Sequence, residues 1–234
     1  MKVSIMQPAY LPWLGYFDRI FQSDLHIVLD NVAIDRSSKT KFANRNKIRT
    51  AQGSLWLTVP LAKKENTDLY LDTLKINNDQ SWQKKHWLSI KGNYTKAPFF
   101  QEHHDFFDQI YTKNWERLFE LTQETTHYLL DALSIDTEIV LASKMNLPFS
   151  KSELILELCK NVCATTYISG PFGREYLDEG SFLKAGIKLE YHDYQHPIYK
   201  QRYSDFEPYM SVIDLLFNLG PAAKATLVHC KPVS

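Results

Sequence analysis

Cysteine is scarce in this chain: three residues in 234, at Cys159, Cys163 and Cys230. So small and odd a set does not make a disulfide framework. Cys159 and Cys163 lie four apart in "ELILELCKNVC", and helical spacing puts both on one face, to pack or to bind a metal. No third or fourth ligand is spaced for zinc, which leaves packing. Net charge is also missing, because 27 Lys and Arg balance 27 Asp and Glu. That neutrality argues against a protein built mainly to hold nucleic acid or anionic lipid. No stretch approaches the ~18 uninterrupted apolar residues of a membrane span, and the N-terminus has no long apolar segment of the secretory kind. The expectation is a cytoplasmic protein without membrane insertion. Internal repeats and low-complexity tracts are absent too. With 44% hydrophobic and 23% charged residues, the composition is that of a globular protein, long enough for one core or a core with a subdomain.

The apolar periodicity alternates between strand and helix. Strands are expected at Val3 to Met6, Leu25 to Asp30, Leu55 to Val59, Tyr70 to Ile76, Glu138 to Ala142, Thr166 to Ser169 and Lys188 to His192. Helices are expected at Trp13 to Phe21, Trp82 to Tyr94, Phe99 to Thr112, Trp115 to Leu133, Lys151 to Cys163, Glu175 to Lys184 and Val212 to Leu219. The pattern predicts an α/β fold, a largely parallel sheet with flanking helices built from both ends of the chain, with a helical insertion in the middle. The chain reads as a single domain over residues 1–234, with a mainly helical subdomain at about 82–134. Tyr70 to Ile76 has an alternative as a hairpin arm against Leu55 to Val59, across the polar connector "AKKENTD". That connector and "SKMNLPFSKS" read as exposed loops, and the tail "HCKPVS" as loosely held.

Four stretches could carry chemistry. In "SIMQPAYLPWLGYF" the first strand ends at Gln7, since a residue before proline is pushed into extended geometry. Pro12 then sits where helices begin. The resulting strand–turn–helix corner either packs its aromatics or presents Gln7, Tyr10, Trp13 and Tyr16 to a ligand. In "DNVAIDRSSKTKFANRNKIRT" a strand end delivers Asp30 and Asn31. Arg36, Lys39, Lys41, Arg45, Lys47 and Arg49 follow with Asn44 and Asn46 among them, either as a solvated loop or as a phosphate-binding segment.

The third stretch, "SWQKKHWLSIKGNYTKAPFF", places Trp82, His86 and Ser89 on one helical face. Lys85 lies beside His86, and Tyr94 closes the run. A lysine neighbour and partial burial favour the neutral imidazole that a general base requires, although a lone helical histidine is commonly structural. The fourth, "SVIDLLFNLG", sets Asp214 and Asn218 one turn apart on an apolar helix, where a carboxylate needs either solvent or a partner. His103 and His104 point to different sides of their helix. In "YHDYQHPIYKQ", Asp193 could orient His192 or His196, and Pro197 breaks the spacing of a two-histidine metal pair.

The corner is similar in layout to nucleotidyltransferases whose first strand leads into "HxGH", and "YISGPFGREYL" is similar to their "ISSTxIR" segment, with Arg174 near the expected place. Here Trp13 and Tyr16 hold the two histidine positions around Gly15, and neither can stabilise a phosphoryl transition state as an imidazolium does. A nucleotide-binding corner of similar shape stays open, as an analogy of fold.

Taken together, "QPAYLPWLGYF", "NRNKIRT", "WLTVP", "WQKKH", "YTKAPFF", "YISG" with its following "YL", and "SVIDLLFNLG" resemble the WbqC-like protein family, nearly end to end and in order. The resemblance implies a cytoplasmic protein of nucleotide-sugar or surface-polysaccharide metabolism, of the O-antigen and lipopolysaccharide kind. It also implies recurrent polar positions at Gln7, Tyr10, Asn44, Arg45, Lys47, His86, Tyr94, Asp214 and Asn218. The expected activity is a transferase that N-acylates or aminoacylates a nucleotide-linked amino sugar. His86 would be its base and Asp214 would orient that base or hold sugar hydroxyls. Arg45, Lys47 and Arg49 would hold the pyrophosphate, and Tyr10, Trp13 or Tyr16 would stack on a base or sugar. The expected partner is a small-molecule nucleotide sugar rather than nucleic acid, and a homo-oligomer is left open. No cofactor or metal is identified, and the acyl or aminoacyl donor is unknown. The alternatives are a non-catalytic nucleotide-sugar-binding or scaffolding protein, and a nucleotidyltransferase-like enzyme with a degenerate corner.

Overall fold

A computed structural model describes residues 1–34, 42–62 and 69–228. In chain order the elements are β1 (Lys2–Met6), α1 (Leu14–Phe21), β2 (Leu25–Val28), β3 (Arg45–Thr50), β4 (Gly53–Thr58), α2 (Trp82–Tyr94), α3 (Phe100–Thr112), α4 (Leu118–Ala132), β5 (Glu138–Leu141), α5 (Lys151–Asn161), β6 (Thr166–Ser169), α6 (Glu179–Lys184), β7 (Lys188–Tyr191), α7 (Val212–Leu219) and α8 (Ala223–Val228). No helix among the described residues is long and apolar enough to cross a membrane.

Both ends of the chain build one sheet, in the order β5-β2-β1-β6-β7. Every pairing in it is parallel, with β1 taking β2 from Val3↔Leu25 to Met6↔Val28 and β6 from Lys2↔Thr166 to Ser4↔Ile168. A parallel sheet covered on both faces needs apolar residues on both, and successive side chains alternate between them. Val3, Ile5, Leu25 and Ile27 accordingly pack on Leu154 and Leu158 of α5 and Phe182 of α6. The opposite face begins at Met6. There Leu14, Phe17 and Ile20 of α1 share a core with Ile90 of α2, Phe107 of α3, Leu121 of α4 and Phe217 of α7. The chain moves outward from β1 to β2 and β5, then crosses back to β6 and β7. It therefore reverses direction between β1 and β6, where open α/β sheets leave a crevice at the strand ends.

Several elements differ from the sequence reading. Residues 70–76 form a turn region touching its neighbours through single bridges at Ala33↔Tyr70, Leu61↔Ile76 and Lys75↔Arg117, not a strand. The hairpin partner of β4 is "RNKIRT", registered from Arg45↔Thr58 to Thr50↔Gly53. Its charges resemble a loop, yet they alternate with buried Asn46 and Ile48, which is the signature of a half-buried strand. Cys159 is buried in α5, and Cys163 lies past the end of that helix with positive φ and is exposed. The two thiols do not share a helical face. The expected helix at Glu175 to Lys184 divides into a short 3-10 turn, Pro171–Glu175, and α6, while α8 was not anticipated. Arg36, Lys39, Lys41, Cys230, most of the connector "AKKENTD" and the tail lie outside the described residues.

Candidate functional site

The opening corner is held by its neighbours rather than by its own turn. Leu11 adopts a φ of 45°, a left-handed conformation that a leucine enters only at a cost. Asn46 of β3 donates its carboxamide N–H to the Leu11 carbonyl at 2.6 Å. The Tyr10 N–H points at the carbonyls of Phe42 and Ala43, at 3.2 and 3.1 Å, and the Val212 N–H donates to the Pro12 carbonyl at 2.9 Å. The hairpin and the start of α7 thus fix the path that the two prolines begin. Asn46→Ala should lower stability by about 1–3 kcal/mol, because it leaves a buried carbonyl without its donor. Thermal melting of the two proteins measures the loss.

Beyond the C-terminal ends of β1 and β6 lies a cleft of about 350 Å³. One wall is the corner and α1, through Gln7, Trp13, Tyr16 and Arg19. The other is Tyr167 of β6, the turn Gly170–Gly173 and Tyr176. Trp13, Tyr16 and Arg19 recur every three residues, so one stripe of α1 faces the cleft. The Trp13 indole folds back over Gly15, where any β-carbon would run into the ring. Among the described residues nothing hydrogen-bonds the Gln7 carboxamide. Burial pushes the Tyr16 and Tyr167 phenols well above their usual range, and both stay neutral.

Arg19 is the cation of this cleft. Its Nε donates to Met6 Sδ at 2.9 Å, a weak acceptor, and no carboxylate among the described residues pairs with it. Burial lowers its pKa, and Tyr167, Tyr16 and Tyr176 partly offset that effect. A β-carbon on Gly170 would sit 2.7 Å from Arg19 Nη1, so glycine is what lets the guanidinium reach the turn after β6.

The remaining expected site residues fall into separate places. Tyr10 is fully buried, and its hydroxyl meets His86 Nδ1 at 2.9 Å and the Tyr111 hydroxyl at 2.6 Å. Burial depresses the His86 pKa to about 4, offset in part by a hydrogen bond to the Thr58 backbone. His86 is neutral at pH 7 and does not line the cleft. Asp214 is not beside it. Its Oδ1 accepts from Tyr94 Oη at 2.8 Å, and its Oδ2 accepts from Tyr199 Oη at 2.7 Å and Gln201 Nε2 at 2.9 Å. Asn218 donates to the Asp214 carbonyl at 2.7 Å. Asn44 donates to the Val59 carbonyl at 2.8 Å.

Arg45 and Lys47 project from the open face of the hairpin around Trp56, at 4.5 and 5.8 Å from its ring. Buried Arg49 is engaged by the Thr50, Gly53 and Asp205 carbonyls. Asp30 accepts from the N–H and hydroxyl of Ser143 at 2.9 and 2.6 Å, and so ties β2 to the turn after β5. Arg174 lies over the Tyr191 ring at 3.9 Å, outside the cleft.

Sequence reasoning missed Arg19 and the pairing of His192. The carboxylate that orients His192 is Asp18 of α1, with Nε2 and Oδ2 2.6 Å apart, whereas Asp193 is exposed. The three-residue spacing from Tyr16 could have flagged Arg19. Nothing local could have joined residues 174 positions apart. His196 is engaged by the Pro197 carbonyl and the Tyr209 N–H, leaving no two-histidine site.

Residues 7–226 match the WbqC-like protein family, almost the whole chain. An uncharacterized protein of Mycobacterium tuberculosis is 35% identical over 232 residues, covering 98% of this chain and 99% of that relative. No solved structure matches.

Proposed function

The chain belongs to the WbqC-like protein family, and from that premise we propose that it binds a nucleotide-linked sugar in the β1/β6 cleft and transfers an acyl or aminoacyl group to the sugar's amine, as a cytoplasmic step of surface-polysaccharide metabolism. One observation supports this above the others. The two stretches similar to nucleotidyltransferase signatures, the corner with Trp13 and Tyr16 and the turn Gly170–Gly173, line the same cleft at the sheet's switch point. Crevices at that position take nucleotides in open α/β sheets. The aromatic walls suit a base or sugar face, and the unpartnered Gln7 carboxamide suits a polar edge.

A second reading, binding without turnover, has its own support. The described lining contains no Asp, Glu, His, Lys or Cys, so no strong proton acceptor stands in the cleft to take a proton from an attacking ammonium. Isothermal titration with a panel of uridine, thymidine and guanosine diphosphate sugars tests the shared premise, and at least one should bind. Mass spectrometry of that sugar after incubation with acyl and aminoacyl thioesters then separates the readings. A mass gain favours transfer, while binding without a mass change favours the second reading. If no nucleotide sugar produces heat, the premise fails.

A further inference from the structure

We propose that Arg19, rather than the cations of the hairpin, is the anion anchor of the cleft, and that its guanidinium takes the diphosphate of the nucleotide-linked sugar. This rests on the nucleotide-sugar reading of the same cleft.

Two arginines in this protein make the contrast. Arg49 is buried, and three backbone carbonyls take the N–H groups of its Nη1 and Nη2, which makes it a structural brace between the hairpin and the 205 region. Arg19 is half-buried on the cleft wall, and its single hydrogen bond among the described residues goes to a thioether through Nε. The two terminal nitrogens, four N–H donors in a planar fork, therefore face the cleft without an acceptor. Withdrawing a charge from water without a counter-charge is costly, and a ligand's anion would supply the missing partner.

The surroundings fit an anion rather than a cation. Tyr16, Tyr167 and Tyr176 lie close enough to influence the guanidinium electrostatically. The Tyr167 hydroxyl is engaged by Tyr176 and Ser169, and the neutral Tyr16 and Tyr176 hydroxyls can donate to phosphoryl oxygens as well. Gly170 removes the one β-carbon that would push Nη1 aside. Arg45 and Lys47, by contrast, flank the Trp56 ring on the outer hairpin face and do not line the cleft. Guanidinium forks match phosphate oxygens in pairs, which a lysine cannot reproduce.

The test is calorimetric, on the full chain, with Arg19→Met, Arg19→Lys, Gly170→Ala and Arg45→Met. The probes are the nucleotide sugar that wild type binds best, its nucleoside diphosphate, its free sugar, and glucuronate as a carboxylate control. Thermal melting confirms that each variant is folded. Arg19→Met should weaken nucleotide-sugar and nucleoside diphosphate binding about 10- to 100-fold, the loss of hydrogen bonds to a charged group. Arg19→Lys should recover only part of it, Gly170→Ala should weaken binding in the same direction, and Arg45→Met should have little effect. The free sugar, lacking the anion, should respond to none of them. Unchanged affinity in Arg19→Met alongside wild-type binding overturns the anchor and leaves the nucleotide-sugar reading standing. Glucuronate binding that depends on Arg19, with no response to any diphosphate, overturns the diphosphate assignment and that reading together.

Discussion

Asp214→Ala should cost the fold about 3–5 kcal/mol, because it leaves several buried neutral donors without the acceptor they share. The carboxylate is completely buried, at 0% exposure, and takes close side-chain donors from Tyr94, Tyr199 and Gln201, with Asn218 Nδ2 more distant at 3.5 Å. Each donor left buried without an acceptor costs about 1–3 kcal/mol. The Tyr94 hydroxyl also accepts from the Arg49 N–H at 2.9 Å, so the network ties β3, α2, α7 and residues 199–201 together. Asp214→Asn should lose less than the alanine variant, since it keeps one accepting oxygen and the Tyr94 hydroxyl can turn to accept from the new amide. Equilibrium denaturant unfolding of the three proteins gives the order. A binding or transfer role for Asp214 predicts the opposite pattern, unchanged stability with lost ligand affinity or turnover, and calorimetry on the same samples decides between them.

The parts of the fold that could be read from sequence are those whose causes are local. The β1 strand, Gln7 before Pro8 and Pro12 ahead of α1 follow from proline chemistry and a 3.6-residue rhythm, and the structure has the corner there. The β3 strand was obscured because its half-exposed positions are Arg45 and Lys47 and a third cation, Arg49, is buried beside Ile48, so the run of charge masks the alternation with Asn46 and Ile48. The expected site divided for a different reason. Tyr10 meets His86 76 residues away, and Tyr94 meets Asp214 across 120. Whether such a polar residue faces a ligand or a second polar residue is decided by packing between distant segments, which no spacing encodes. Gln7, Trp13 and Tyr16 stayed together at the cleft because they share one short corner. Arg19 carries no local mark in the sequence beyond its three-residue spacing from Tyr16. Its meaning depends on Gly170, brought alongside by the return of the chain to β6.

Stability should also fall steeply as pH drops below 6.5, through two buried histidines. Burial depresses His86 from 6.5 to about 4, and burial together with the nearby Arg19 charge depresses His26 to about 3. In the unfolded chain both titrate near 6.5, so below that pH the unfolded state binds more protons than the folded one. The stability these neutral imidazoles contribute is therefore complete above pH 6.5. It is lost progressively as pH falls toward 4 and then 3, by on the order of 3 kcal/mol for His86 and somewhat more for His26. Neither ring has a carboxylate partner to rescue the charged form among the described residues. His86 faces Tyr10, Tyr111 and Trp82, and His26 faces Tyr16 and bonds Ser4, with its Nε2 buried and unpartnered. Urea unfolding at a series of pH values should show a slope that His86→Gln and His26→Phe each make shallower. The Ser4 hydroxyl keeps its Ser23 partner in the second variant, so that protein remains a fair comparison. Slopes equal to wild type in both variants would mean that these imidazoles protonate without opening the fold. Arg19→Met should act in the same direction as His26→Phe, because removing the neighbouring positive charge lets His26 accept its proton at a higher pH and narrows the gap between folded and unfolded states.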